Sequence, residues 1–199
     1  MNIINKIIDL NVGEVIKDVN VKSYTTYKID CIALGLVIPD TVESLIELLK
    51  FLRGNSIKYK IIGKGSNLIF TNDKYDGILI SLDAFSNLEI DSNHITVGAG
   101  YSLIKLAYRL SRQGFAGLEF AAGIPGSIGG AIYMNAGAYG EEMSGVIESV
   151  TYIDCENNIK TDVFTLGTAP TEYCTVHGLQ IETTFESEPV IGSEYPEGY

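Results

Sequence analysis

The chain has 199 residues, 46% of them hydrophobic and 20% charged, with a formal net charge of -11 at pH 7. That length supports one or two globular domains with a sizeable core. So acidic a balance lacks the Lys and Arg surplus that nucleic-acid phosphates or an anionic membrane surface demand, although backbone N–H groups can still hold a phosphorylated ligand.

Residues 1–20 read as a short amphipathic helix, with Ile3, Ile4, Ile7 and Ile8 at helical spacing. Lys6 and Asp9 interrupt the apolar start, which is therefore not read as a secretory leader, and no stretch approaches the roughly 18 uncharged apolar residues of a membrane span. A β-rich run from Ala33 to Ile38 stops at Pro39. Asp40 and Glu43 then form a capping-box pattern ahead of Val42, Leu45, Ile46, Leu49 and Leu52, a helix closed by Gly54-Asn55. Ile57 to Ile62 is the next expected strand, followed by a glycine turn. Runs at 77–82, 86–91 and 94–98 read as consecutive strands. Ser102 caps a helix to about Arg112 that Gly114 stops, and Val146 to Asp154 is a strand ending in the turn Glu156-Asn157-Asn158. The expected fold class is α+β with two lobes, residues 1–70 forming one and 71–162 the other.

Residues 163–199 hold no Lys or Arg, six Glu and three of the five prolines, and are expected to be an unrelated, irregular tail. Cys31, Cys155 and Cys174 are too few and scattered for a disulfide framework, and no Cys-x-x-Cys occurs. A reduced, cytoplasmic setting is expected. His94 and His177 have no partners at ligand spacing, and Cys174-x-x-His177 is half a metal site at most, so no metal is expected.

Two glycine-rich stretches carry the chemistry. The first, Gly63-Lys64-Gly65-Ser66-Asn67-Leu68, follows a strand directly. Glycines let backbone approach a ligand, and successive N–H groups can cup a pyrophosphate. It is neither a phosphate-binding Gly-Lys-Ser/Thr loop nor a dinucleotide fingerprint, because Leu68-Ile69-Phe70 reads on as a strand rather than opening a helix. On such punctuation alone a plain strand-to-strand turn is the favoured reading. The second runs from Ala122 to Ala131 and on to Glu141. Its small residues suit a flat or phosphorylated ligand lying against backbone, and Pro125 fixes one φ in advance. A flexible linker fits poorly, since Ile124, Ile128, Ile132, Tyr133 and Met134 would be costly to leave in solvent.

Gly-Ile-Pro-Gly-Ser-Ile-Gly-Gly-Ala-Ile-Tyr-Met-Asn-Ala-Gly-Ala-Tyr-Gly-Glu at 123–141 resembles the flavin-binding signature of the UDP-N-acetylenolpyruvoylglucosamine reductase family. Thr25-Thr26-Tyr27-Lys28-Ile29, the first glycine loop and Gly117-Leu118-Glu119-Phe120 match in the same order, so the resemblance spans residues 22–162. It implies a two-lobed FAD-binding fold of the vanillyl-alcohol-oxidase (PCMH) type, truncated. FAD is then the cofactor, NADPH the hydride donor and a UDP-sugar enolpyruvate the substrate, in peptidoglycan synthesis. By resemblance Gly63, Gly65, Ser66 and Asn67 contact the FAD pyrophosphate, and Tyr27, Lys64 and Leu68 also belong to the cofactor site. Gly123, Ile124, Pro125, Gly126, Ser127, Gly129, Gly130, Tyr133 and Asn135 cover the pyrophosphate, ribose and part of the ring system.

The family's Tyr-Arg-x-Ser motif, its later serine or cysteine proton donor, its C-terminal glutamate and its substrate domain have no counterpart that can be placed here. No catalytic residue is identifiable, and nothing specifies a protein partner. Gly167 to Gly178 is instead similar to short segments of class A penicillin-binding proteins, which suggests a chimeric or frameshifted junction near Val163. Asp30-Cys31 stands where the family has Gly-Gly. The expected activity is that of the family's reductase, with an inactive FAD-binding fragment or chimera as the alternative.

Overall fold

The computed structural model describes residues 3–164 and the strand 179–186. Two sheets organise it. In the first, β1 (Gly13–Asn20) is antiparallel to β2 (Ile32–Pro39), and β4 (Lys74–Ser81) runs parallel between β2 and β3 (Tyr59–Ile62). The crossover is helix α2 (Val42–Gly54), whose Leu45, Leu48, Leu49 and Leu52 are fully buried against that sheet. Its N-cap is Thr41, one residue later than the capping box suggests. Thr41 Oγ1 accepts from Ser44 N at 3.1 Å, while Asp40 accepts from the Ser44 hydroxyl at 2.7 Å.

Two expectations at this end need correction. Helix α1 covers Ile3–Asp9 alone, and residues 13–20 are β1 rather than more helix. The chain leaves the helix through Asn11 in the left-handed region (φ 54) and then Gly13 (φ +127). A Cβ on Gly13 would overlap the Ile38 carbonyl of β2, so glycine lets the two strands start pairing. The division at 70/71 is also displaced, because β4 belongs to the first sheet. As a parallel strand covered on both faces it reads as a continuous apolar run, and Gly77 to Ser81 are all buried. The passage to the second sheet falls after Leu82.

The second sheet is antiparallel, in the order β10-β9-β11-β6-β5, from β5 (Leu88–Asp91), β6 (His94–Gly98), β9 (Ile147–Ile153), β10 (Ile159–Val163) and β11 (Leu179–Glu186). Helix α3 (Leu103–Arg112) is capped by Ser102, as its sequence indicates, and ends at Gln113 before Gly114 (φ +80). Leu103, Leu106, Ala107 and Leu110 pack with Ile95, Val97, Val150 and Tyr152 of the sheet.

Part of the expected irregular tail is thus regular structure. Strand β11 occupies the middle of the sheet, pairing Thr183 with both Val97 of β6 and Val150 of β9. The physical reason is that β6 and β9 are not neighbours, and each needs a partner for its ladder groups. The missed signal is the alternation Leu179-Gln-Ile-Glu-Thr-Thr-Phe-Glu, which the acidic composition obscures. The segment Gly167–Gly178 and its Cys174 and His177 lie outside the described residues.

The β9–β10 turn is organised by Asp154, which is 6% exposed. Its carboxylate accepts from Lys160 Nζ at 2.8 Å and from Glu156 N and Asn158 N at 2.8 and 2.9 Å. The Lys160 ammonium first, and those turn bonds after it, hold the Asp154 carboxyl well below the usual carboxylate range. A carboxylate whose pKa is lower folded than unfolded contributes stability above its unfolded pKa of about 3.9 and loses it as pH falls below that value. Asp154→Asn is therefore expected to lower the urea midpoint at pH 7 and to lower it progressively less below about pH 4. Urea titrations of both chains at pH 7 and pH 3 check this, and a deficit that grows toward acid would contradict it.

Candidate FAD-binding cleft

A cleft of about 480 Å³ separates the two lobes, within the usual range of about 300–1,000 Å³ for small-molecule sites. One wall is the first glycine loop. Gly65 has φ +65, and a Cβ there would overlap the Tyr24 carbonyl and lie 2.8 Å from Thr25 Cα. Thr26 N donates to Gly65 O at 3.0 Å, so Thr25-Thr26 forms a backing plate behind the loop. The backbone amides of Lys64, Gly65, Ser66 and Asn67 donate to no protein acceptor among the described residues. Successive amides left this way form an anion-binding concavity. Contrary to expectation, Leu68-Ile69-Phe70 is not a strand. The chain irregularly crosses to β4, with Leu68 and Phe70 packed on Leu36 and Leu79 and Ile69 exposed.

The opposing wall differs from the continuous glycine loop expected. A 3-10 turn at Glu119–Gly123 leads through Pro125 into a short helix, α4 (Ile128–Tyr133). Ser127 caps it, its Oγ accepting from Gly130 N at 3.3 Å. Ile128, Ala131 and Ile132, at helical spacing, are buried, and this is the helix signal that the glycine density hid. The first amides of α4 are already engaged. Ile128 N donates to Tyr101 O at 2.9 Å and Gly129 N to Ala99 O at 2.8 Å. Among the described residues the Gly126 and Ser127 amides keep no protein acceptor. A Cβ on Gly63 would overlap the Ser127 hydroxyl, so the two loops meet there. A Cβ on Gly126 would meet nothing nearer than Ser66 Oγ at 3.9 Å. That position faces open cleft.

Gly63, Lys64, Gly65, Ser66, Asn67, Leu68, Gly126, Ser127, Gly129, Gly130 and Tyr133 all line this cleft. The other sequence-selected positions do not. Tyr27 is exposed outside it. Gly123 sits in the 3-10 turn, Ile124 packs on the second core, and Pro125 leads into Gly126. Asn135 Oδ1 accepts from Ser144 N at 2.9 Å, which ties it to the 3-10 turn Met143–Gly145 that follows the β7–β8 hairpin (Gly137–Ala138 and Glu141–Glu142). Asp30 and Cys31 also stay clear of the cleft. Asp30 pairs with Lys22 at 2.9 Å, while Cys31 is buried in the core, where desolvation pushes its thiol up.

Several lining residues escaped the sequence reading, among them Leu49, Arg53 and Tyr59, which sit on elements read as structural. Ala99 and Gly100 were legible as Gly98-Ala99-Gly100, a small-residue turn; a Cβ on Gly100 would overlap the Leu82 carbonyl. Two cations at the wall are engaged: Lys64 Nζ lies 2.6 Å from Asp83, and the Arg53 guanidinium bonds Tyr59 and the β9–β10 turn, while Lys60 of β3 also lines the wall and is exposed. The cleft thus offers an anion a run of backbone amides on its glycine loops.

Residues 33–161 match the model of the FAD binding domain family, more than half of the chain, and the chain belongs to that family. Curated proteins similar to the chain include reductases. The UDP-N-acetylenolpyruvoylglucosamine reductase of Bacillus velezensis is 44% identical over 147 residues, covering 73% of this chain and 48% of that protein. The Bacillus subtilis enzyme of the same name is 42% identical over 146 residues, with the same coverage. The crystal structure of UDP-N-acetylenolpyruvylglucosamine reductase from Thermus caldophilus superposes with a TM-score of 0.69 at 26% identity, over 88% of this chain and 62% of that one. BBE-like 1 of Physcomitrella patens, at 15% identity and a TM-score of 0.70, covers 95% of this chain and 45% of that protein, and shares the fold alone. The chain spans about half the length of the curated relatives it matches. The two-lobed FAD-binding fold of the vanillyl-alcohol-oxidase type is therefore present, with FAD as its cofactor. The cleft fits that group: it offers unpaired amides for a pyrophosphate and, at Gly126, a backbone that a ligand can touch.

Proposed function

We propose that the cleft binds FAD and that the chain belongs to an NADPH-dependent reductase converting UDP-N-acetylglucosamine enolpyruvate to UDP-N-acetylmuramate in cytoplasmic peptidoglycan synthesis. The observation that carries the reading is the run of unpaired amides from Lys64 to Asn67 meeting Gly126 and Ser127 across one cleft. These amides hold the pyrophosphate without a bound cation. Lys64 keeps the Asp83 carboxylate neutralised beside it. Tyr133 and Met134, exposed on the wall, offer an apolar surface to a flat ring. When bound, FAD supplies the redox chemistry, accepting a hydride from NADPH and delivering it to the enolpyruvyl double bond.

A second reading has its own observation. Reducing that double bond develops negative charge that a fixed cation and a placed proton donor must stabilise, each worth roughly 10²–10⁴-fold in rate. Among the described residues the cleft cations Arg53 and Lys64 are already paired, Lys60 lies exposed on β3 on a long flexible stem rather than as a fixed charge, and residues 163–199 contain no Lys or Arg. These 199 residues by themselves are therefore expected to bind FAD without turning over the UDP-sugar. The test loads the purified chain with FAD, removes the excess, records the flavin spectrum and assays UDP-N-acetylmuramate with NADPH and substrate in excess. A colourless chain sinks the FAD reading. Turnover comparable to that of a full-length relative sinks the second reading and leaves the first.

A further inference from the structure

Arg53 closes α2 and is half-buried on the cleft wall. A basic residue in a last helical turn ordinarily bonds its own helix carbonyls. This one reaches into the other lobe. Its Nη1 donates to Asp154 O and Cys155 O, both at 3.0 Å, and to Asn157 Oδ1 at 2.6 Å. Its Nε donates to Tyr59 Oη of β3 at 2.9 Å. The acceptors are prearranged, because the Asp154 carboxylate folds the turn through Glu156 N and Asn158 N and Asn157 holds a left-handed φ of 67. Beside this polar latch runs an apolar seam, where Ile153 of β9 and Ala99 pack with Leu49 and Leu52 of α2. The seam resists separation of the lobes but is non-directional. The guanidinium bonds are directional and charge-assisted, and they fix one spacing.

We propose that Arg53 is a positioning residue that latches the two lobes at the α2 end of the cleft and so sets the cleft's width for the flavin dinucleotide. The proposal rests on the FAD reading for its consequence, not for its geometry. Arg53→Lys keeps the charge but cannot bond Tyr59 and the turn together. Asn157→Ala removes the shortest of the cross-lobe bonds and leaves Arg53 in place.

The experiment titrates FAD into wild type and the variants Arg53→Lys, Arg53→Ala and Asn157→Ala, and follows hydrogen exchange of the FAD-free full chain. Expected is FAD binding weakened about tenfold in Arg53→Lys and more in Arg53→Ala, with a smaller loss in Asn157→Ala. Exchange should quicken at the seam amides of Leu49, Leu52 and Ile153 while Leu36 and Leu79, inside the first sheet, stay protected. A uniformly weakened fold would quicken all of them. FAD affinities within about twofold of wild type, or unchanged seam exchange, overturn the latch. If Arg53→Ala does not fold, Arg53→Lys and Asn157→Ala decide by the same two readings. A wild-type chain that takes up no FAD overturns the cofactor reading, and the seam exchange then decides the latch by itself.

Discussion

Gly126→Val is expected to strip the chain of FAD while leaving it folded. Gly126 does not sit in the left-handed region, and a Cβ there has no protein atom nearer than 3.9 Å. The added side chain therefore projects into the space assigned to the ligand rather than into a neighbour. Forcing extra carbons into a filled site typically costs about 1–3 kcal/mol, so FAD affinity should fall by about ten- to hundredfold. The melting temperature of the FAD-free chain should move by no more than about 2 °C, as for a surface substitution. Gly65→Val gives the contrasting result. Its φ of +65 is strained for valine, and its Cβ would overlap the Tyr24 carbonyl, so the loop itself must shift. Here melting temperature and FAD binding should fall together. Gel filtration with flavin absorbance, beside thermal melts, separates the two cases. Flavin retained in Gly126→Val would remove the assignment of this wall.

Thr183→Pro is expected to be the most damaging single change to the fold. Thr183 pairs with strands on both sides of it, so its backbone lies in the sheet interior. Proline there removes a ladder donor and is tolerated essentially on edge strands alone, at a cost of about 3 kcal/mol or more. Against a typical domain stability of about 5–15 kcal/mol, that leaves the second lobe marginal. The measurement is a urea titration followed by near- and far-ultraviolet circular dichroism. A midpoint equal to wild type would show that β11 contributes little to the sheet.

Much of the fold was legible because its elements obey simple periods. Helix α3 follows from Ser102 and the spacing of Leu103, Leu106, Ala107 and Leu110, and the structure puts all four in the core. The elements that misled are those where tertiary packing overrides local pattern. Residues 13–20 become a strand because β2 offers them an open edge, and Gly126-Ser127 opens a helix despite the glycines around it. The cleft was half legible. Glycine loops announce themselves in sequence, whereas Arg53 of α2 and Tyr59 of the outer strand β3 come together on its wall only through tertiary packing. The role of Gly65 was visible as a requirement for glycine, but its cause is the backbone of Tyr24 rather than the ligand.

The central position of β11 also orders events in time. The described strands of the first sheet all lie between residues 13 and 81, so its pairings can be made as soon as this stretch of chain exists, although Ala99 and Ile153 of its core come later. The second sheet cannot close until residues 179–186 arrive to join β6 and β9, and the β6–β11 pairing is the longest-range strand pairing among the described residues. Non-local strand pairing is slow because loop closure must precede any gain from the contacts. During synthesis, one half of the cleft therefore waits on β11, with β6 and β9 presenting unpaired edges to solvent meanwhile. Cofactor capture then reports completion of the second sheet, and flavin uptake by a refolding chain should follow the slower lobe.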